Sequence, residues 1–165
     1  MAKQASTVDP YPRNPEGLKQ MYLDREYQEA KYRALQDRKT DIQELAETAD
    51  GWKLTVDREV DANLPDFAKK VLGDTNRLIQ REVWRKSGDD YVCDVVIDSP
   101  GKPVTIKGTM KMEKTGDDTS NWAVDFTIKA SVPLVGGKIE KLVADETQAN
   151  LTKEYAFNKE WLASH

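Results

Sequence analysis

Through the middle of the chain, hydrophobic and polar residues alternate one for one. A period of two predicts antiparallel strands with one wet face. Trp52, Leu54, Val56 and Val60 alternate with Lys53, Thr55, Asp57 and Glu59, and Tyr91, Cys93, Val95 and Ile97 alternate with Val92, Asp94 and Val96. Val104, Ile106, Gly108, Met110 and Met112 oppose Thr105, Lys107, Thr109 and Lys111; Trp122, Val124, Phe126, Ile128, Ala130 and Val132 repeat the pattern. Turn signals at Asp50-Gly51, Ser87-Gly88-Asp89-Asp90, Ser99-Pro100-Gly101 and Thr115-Gly116-Asp117-Asp118 separate the runs, so the strands are expected to be sequential neighbours. Between Arg77 and Arg85 the period gives no clean inner face. Leu78 and Trp84 share a side with Gln80 and Glu82, while Ile79 and Val83 share the other with Arg81, so either register carries polar groups inward.

The flanks read differently. Residues 3 to 9 suggest an edge strand that ends in a turn at Pro10 and Pro12. Asn14-Pro15-Glu16 then supplies an N-cap, a proline at the first helical position and an acid in the first turn, predicting a helix to about Leu23. Asp24 caps a second helix through Leu35, whose stripe of Tyr27, Ala30, Lys31 and Ala34 follows helical spacing loosely. From Asn63 to Gly73, an early proline, the spacing of Phe67, Val71 and Leu72 and a final glycine predict a short helix on a loop. After Pro133 the chain is expected to be helical from near Gly137 to Leu162, roughly 40 Å, long enough to cross a whole sheet.

On that last helix Ile139, Leu142, Val143, Phe157 and Trp161 fall on one face, with Glu146, Asn150 and Lys153 in the middle of it. Three polar residues at the centre of a packed stripe would cost on the order of a few kcal/mol each if buried unpaired. Two arrangements avoid that cost. Either the trio lines a solvated cavity, or the helix is turned so that Leu151, Tyr155 and Leu162 point inward and the trio pairs along the surface.

Composition narrows the partners. The 165 residues fit one domain, 1–165, and 38% hydrophobic with 33% charged residues describes a well-solvated globular chain. With 25 basic against 29 acidic residues, a formal charge of −4 and no long block of one sign, neither nucleic acid nor an anionic membrane surface is an expected partner. Lys102, Lys107, Lys111 and Lys114 read as a solvated outer face. The opening residues lack a signal-peptide core and no segment is long enough to span a bilayer, so a cytoplasmic location is expected. Cys93 is the only cysteine and His165 the only histidine, which leaves no thiol-histidine or Ser-His-Asp arrangement and no histidine or cysteine metal site. No metal and no cofactor is expected. Asp89-Asp90 and Asp117-Asp118 are explained by turn chemistry, and Gly136-Gly137 by a tight turn ahead of the helix. A carboxylate dyad of Glu146 with Glu82 is the one acid-base pairing the pattern leaves open.

The stretch Leu64-Pro-Asp-Phe-Ala-Lys-Lys-Val-Leu-Gly-Asp-Thr, the strand ending in Trp84, and Ser131-Val-Pro-Leu-Val-Gly-Gly-Lys-Ile-Glu-Lys at the opening of the last helix together resemble a bacterial family of unknown function. That family lies in the START-like superfamily, whose α+β helix-grip fold is that of the birch pollen allergen and of lipid-transfer domains. The resemblance spans nearly the whole chain in element order: strand, two short helices, six strands and a long helix. The N-terminal strand departs from the usual pattern in being more polar. The resemblance implies a sheet of about seven strands wrapped around the C-terminal helix, with a cavity between them that related proteins use for lipids, sterols and polyketides.

Three functions fit. A binding or carrier domain would hold an apolar or amphipathic small molecule, with Phe67, Trp84, Met110, Phe126 and Phe157 as apolar wall and Glu146, Asn150 and Lys153 as polar contacts. A protein-interaction module would have a filled core and dock through Trp161, Leu162 or the loop helix. An enzyme of cyclase or hydratase type would use a cavity carboxylate or Lys153 to handle a proton. A monomer or a weak homodimer is expected in each case.

Overall fold

A computed structural model of the chain describes residues 2–61 and 64–165. Asn63, expected at the start of the loop helix, lies outside the described residues. The elements are β1 (Lys3–Tyr11), α1 (Pro15–Leu23), α2 (Arg25–Ala34), β2 (Lys39–Glu47), β3 (Gly51–Asp61), α3 (Asp66–Leu72), β4 (Thr75–Ser87), β5 (Asp90–Asp98), β6 (Val104–Gly116), β7 (Thr119–Ala130) and α4 (Gly136–Ser164). The strands form one antiparallel sheet in the order β1-β7-β6-β5-β4-β3-β2. Strands β2 to β7 pair with their neighbours along the chain, as the turn signals predict, and β1 returns to pair with β7.

Local chemistry explains the helices. The Asn14 side chain accepts from the Gly17 amide at 2.8 Å and the Asp24 side chain from the Glu26 amide at 2.9 Å, satisfying donors that the first turns leave free. Gly73, at φ +78°, ends α3 in a conformation that side chains disfavour. One expectation needs correction. β1 does not stop at residue 9 but runs through Pro10, opposite Asn121, to Tyr11, because a proline is tolerated on an edge strand.

The two ends of the sheet differ. At one end Trp52 stacks on Trp84 with centroids 4.8 Å apart, Tyr91 meets Trp52 edge-on at 5.0 Å, and Tyr22 from α1 packs on both Trp84 (5.4 Å) and Trp122 (5.5 Å). This aromatic plug is fully packed and closes that end. α4 starts at the opposite end, where the buried Glu140 carboxylate accepts from the Ala130 amide at 3.0 Å, and finishes beside the plug, where Arg13 donates to the Leu162 carbonyl at 3.1 Å. Between them Gln148 grips the sheet edge: its Oε1 accepts from the Ser6 amide at 3.1 Å and its Nε2 donates to the Ser6 carbonyl at 2.9 Å. The sheet therefore wraps around α4 in the helix-grip arrangement.

Candidate functional site

Because the plug fills only one end, a cavity of about 400 Å³ remains between the sheet, α3 and α4. Its upper wall is apolar, built from Leu78, Ile97, Val104, Ile106 and Phe126 of the strands with Leu72 of α3. The exposed residues Gln36, Asp61, Glu146 and Lys153 lie around its mouth.

The floor, next to the plug, is polar. On β3 the inward face carries Trp52, Leu54 and Val56 and then Arg58, a buried guanidinium that sequence alternation alone groups with the hydrophobic positions. Its Nε and Nη2 donate to the two carboxylate oxygens of Asp37 at 2.7 and 3.0 Å, its Nη1 to Gln80 Oε1 at 3.3 Å, and its plane covers the Tyr32 ring. Gln80 Nε2 in turn donates to Glu82, which also accepts from Tyr22 Oη at 2.6 Å and Trp84 Nε1 at 2.9 Å. Gln80 and Glu82 thus resolve the ambiguous strand: that face is inward, and three donors hold the carboxylate. Glu82 makes no hydrogen bond with Glu146, so the dyad left open by the sequence is not formed.

Lys31 projects from α2 into the same region. It is 2% exposed, and its Nζ lies over the rings of Tyr32, Tyr22 and Tyr27 at 4.7, 4.9 and 5.3 Å. Among the described residues it has no hydrogen-bond acceptor and no ion pair. Burial lowers its pKa, opposed by the charges of Glu154 and Glu82. Glu154, on the face of α4 toward the cavity, also lacks a partner among the described residues; burial raises its pKa, opposed by Lys31 and Arg58. One turn on, Asn158 accepts from Tyr27 Oη at 2.5 Å and donates to Tyr11 Oη at 3.0 Å, leaving the Tyr11 hydroxyl proton unclaimed. Trp122 Nε1 and Asn76 Oδ1 are buried in the cavity wall with no partner among the described residues.

The residues singled out from the sequence divide. Met110, Phe126, Glu146, Asn150 and Lys153 line the cavity, Glu146 and Lys153 at its exposed mouth. Three do not. Trp84 is spent in the plug, Phe157 packs on Tyr27 and Trp161 at 5.9 and 6.0 Å, and Phe67 sits 37% exposed on the outer side of α3. The turned-helix alternative also holds in part, since Leu151 and Leu162 are buried while the trio still borders the cavity. The sequence does not mark Lys31, Arg58, Glu154 or Asn158 as site residues. For Lys31 a signal exists, a lysine on the apolar stripe one turn after Tyr27; Ala34 of the same stripe is exposed.

Among the described residues no group of three or more His, Cys, Asp or Glu could hold a metal ion, and no helix is long and apolar enough to cross a membrane. The Cys93 thiol is buried, which pushes its pKa up and leaves it inert.

The chain is similar in structure to the protein TTHA0849 from Thermus thermophilus (17% identity, 98% of each chain covered, TM-score 0.67). It is likewise similar to a START superfamily protein from Mycobacterium smegmatis (17% identity, 96% and 98% covered, TM-score 0.63). A third likeness is to the Zhui aromatase/cyclase from a Streptomyces species (12% identity, 97% and 90% covered, TM-score 0.60). These likenesses establish the START-like fold. No curated protein matches the sequence. A family profile described as a protein of unknown function matches residues 7–162.

Proposed function

We propose that this chain, which belongs to the DUF2505 family of proteins of unknown function, is a binding or carrier domain for an apolar or amphipathic small molecule. The observation that carries this reading is the cavity: about 400 Å³, apolar above and polar at its floor, within the range of about 300–1,000 Å³ typical of small-molecule sites. A chain selected only for stability would fill such a space, since voids in a core cost roughly 20–30 cal/mol per Å³. The same observation weighs against an interaction module with a filled core.

A ligand would enter past Gln36, Asp61, Glu146 and Lys153 and lie against Leu78, Ile106, Phe126 and Val143. Native mass spectrometry of the protein from its own host, with extraction of what stays bound, tests the reading. A discrete co-purifying small molecule is expected, and Val143→Trp, which narrows the cavity from half-buried α4, is expected to lose it while circular dichroism stays unchanged. A clean apo mass, with no ligand taken up from any host extract, overturns it.

A second reading rests on one specific observation, the Lys31 amine and Glu154 carboxyl facing one cavity with pKa values displaced toward each other. Such a pair can pass a proton to and from a bound molecule, and a protein of the same fold is named an aromatase/cyclase. Turnover of the co-purified molecule, lost in Glu154→Gln, would distinguish this from carriage.

A further inference from the structure

The cavity floor is unevenly supplied with hydrogen-bonding groups. Lys31 Nζ, in a residue 2% exposed, has three N–H donors and no acceptor among the described residues. Trp122 Nε1, in a residue 7% exposed, has none either. Tyr11 Oη receives the Asn158 amide, so its own proton has no described acceptor; burial raises its pKa, so it stays protonated. The three are arranged around Tyr22: Trp122 packs on Tyr11 at 5.7 Å and on Tyr22 at 5.5 Å, and Lys31 Nζ stands 4.9 Å from the same Tyr22 ring. Of the other strong groups there, Arg58 is satisfied by Asp37 and Gln80 and Glu82 by its three donors; the acceptors left open are the Glu154 carboxyl, whose pKa burial raises, and Asn76 Oδ1 farther along the wall. A buried donor without an acceptor is destabilising, and a charged one more so, so a molecule that supplies oxygen to all three is selected over one that supplies hydrogen.

We infer that Lys31, Tyr11 and Trp122 form the head-group subsite of the cavity and receive an oxygen acceptor, a carbonyl or a carboxylate, so that the ligand sits head down on the plug with its hydrocarbon along the apolar wall toward the mouth. This rests on the carrier reading and gives it a polarity. The ring faces of Tyr22, Tyr27 and Tyr32 hold the ammonium in place, which orients its N–H groups without using them.

Isothermal titration of the full chain with decanoic acid, 2-undecanone and decylamine tests the inference. The three share an apolar tail and differ in the head. The acid or the ketone is expected to bind about tenfold tighter than the amine, and which of the two leads tells whether the head is charged or neutral. Lys31→Met should abolish that preference, the oxygen heads binding more weakly and the amine, freed of a like charge, binding no more weakly than before, and Trp122→Phe, a milder change, should reduce the preference in the same direction. An amine bound as tightly as both oxygen heads, or a preference that survives Lys31→Met and Trp122→Phe, overturns the subsite and leaves the carrier reading standing. Failure of all three probes to bind overturns the subsite, and the carrier reading then stands or falls with the host-extract mass measurement.

Discussion

A buried ammonium with no ion-pair partner among the described residues is costly to a fold. Lys31 is sheltered by three tyrosine rings, but its pKa is lowered by burial, and the groups that bear on it from other elements are Glu154, Glu82, Arg58 and Asp37. The sign of the pH effect follows. Between the lowered folded value and the ordinary one, the unfolded chain binds more protons than the folded chain, so this residue makes stability rise with pH across that window. The penalty is present in full below the folded value. The neighbouring tyrosines, with raised pKa values, act in the opposite direction at alkaline pH but do so with or without Lys31. The stability of the wild type relative to Lys31→Met is therefore expected to be higher at about pH 10 than at about pH 7, in urea denaturation at both pH values. An unchanged difference would mean that the ammonium is solvated through the cavity.

At the scale of elements, the long helix is held to the sheet edge by a side chain that imitates a strand. Gln148 completes both backbone groups of Ser6, so α4 and β1 are joined where β1 has no further strand beside it. Gln148→Ala is expected to cost about 1 kcal/mol, because the freed groups are reached by water, and to speed hydrogen exchange at the Ser6 amide without changing that at Phe126. Elements are also where the sequence is most legible. Strands with a strict period of two have the inward faces that the alternation predicts, and both caps at Asn14 and Asp24 form, since each depends on residues within a few positions of one another. The strand through Gln80 and Glu82 is ambiguous for a physical reason: its inward carboxylate is stabilised by Tyr22 from α1, a residue far off in the chain, and no local pattern records that.

For the molecule as a whole, the cavity follows from curvature. A Cβ at Gly108 would stand 2.0 Å from the Asp125 carbonyl oxygen and 2.8 Å from the Phe126 ring, so β6 and β7 approach there more closely than any side chain permits. A Cβ at Gly51 would likewise stand 2.0 Å from the Trp84 carbonyl oxygen. Gly108→Val is expected to force these strands apart and to cost about 3 kcal/mol, read as a fall in the denaturation midpoint, with loss of ligand binding in whatever fraction still folds. A variant as stable as the wild type would show that the bend lies elsewhere.

The candidate site is half legible in the sequence. Glu146, Asn150 and Lys153 stand out because they break a helical stripe, and they do border the cavity. Phe67, Trp84 and Phe157 are candidates only because they are large and apolar, a property that core, plug and surface share, and the fold uses them elsewhere. By itself the sequence determined the strand faces, the capped helices, the turns and the polar interruption of the last helix, all of which follow from neighbours in the chain. Only the tertiary structure decided that aromatic residues would fill one end of the grip and leave the other open. It also decided that Lys31 and Trp122 would both pack on Tyr22, with Tyr11 beside Trp122, because which donors find acceptors depends on packing between elements that no local periodicity encodes.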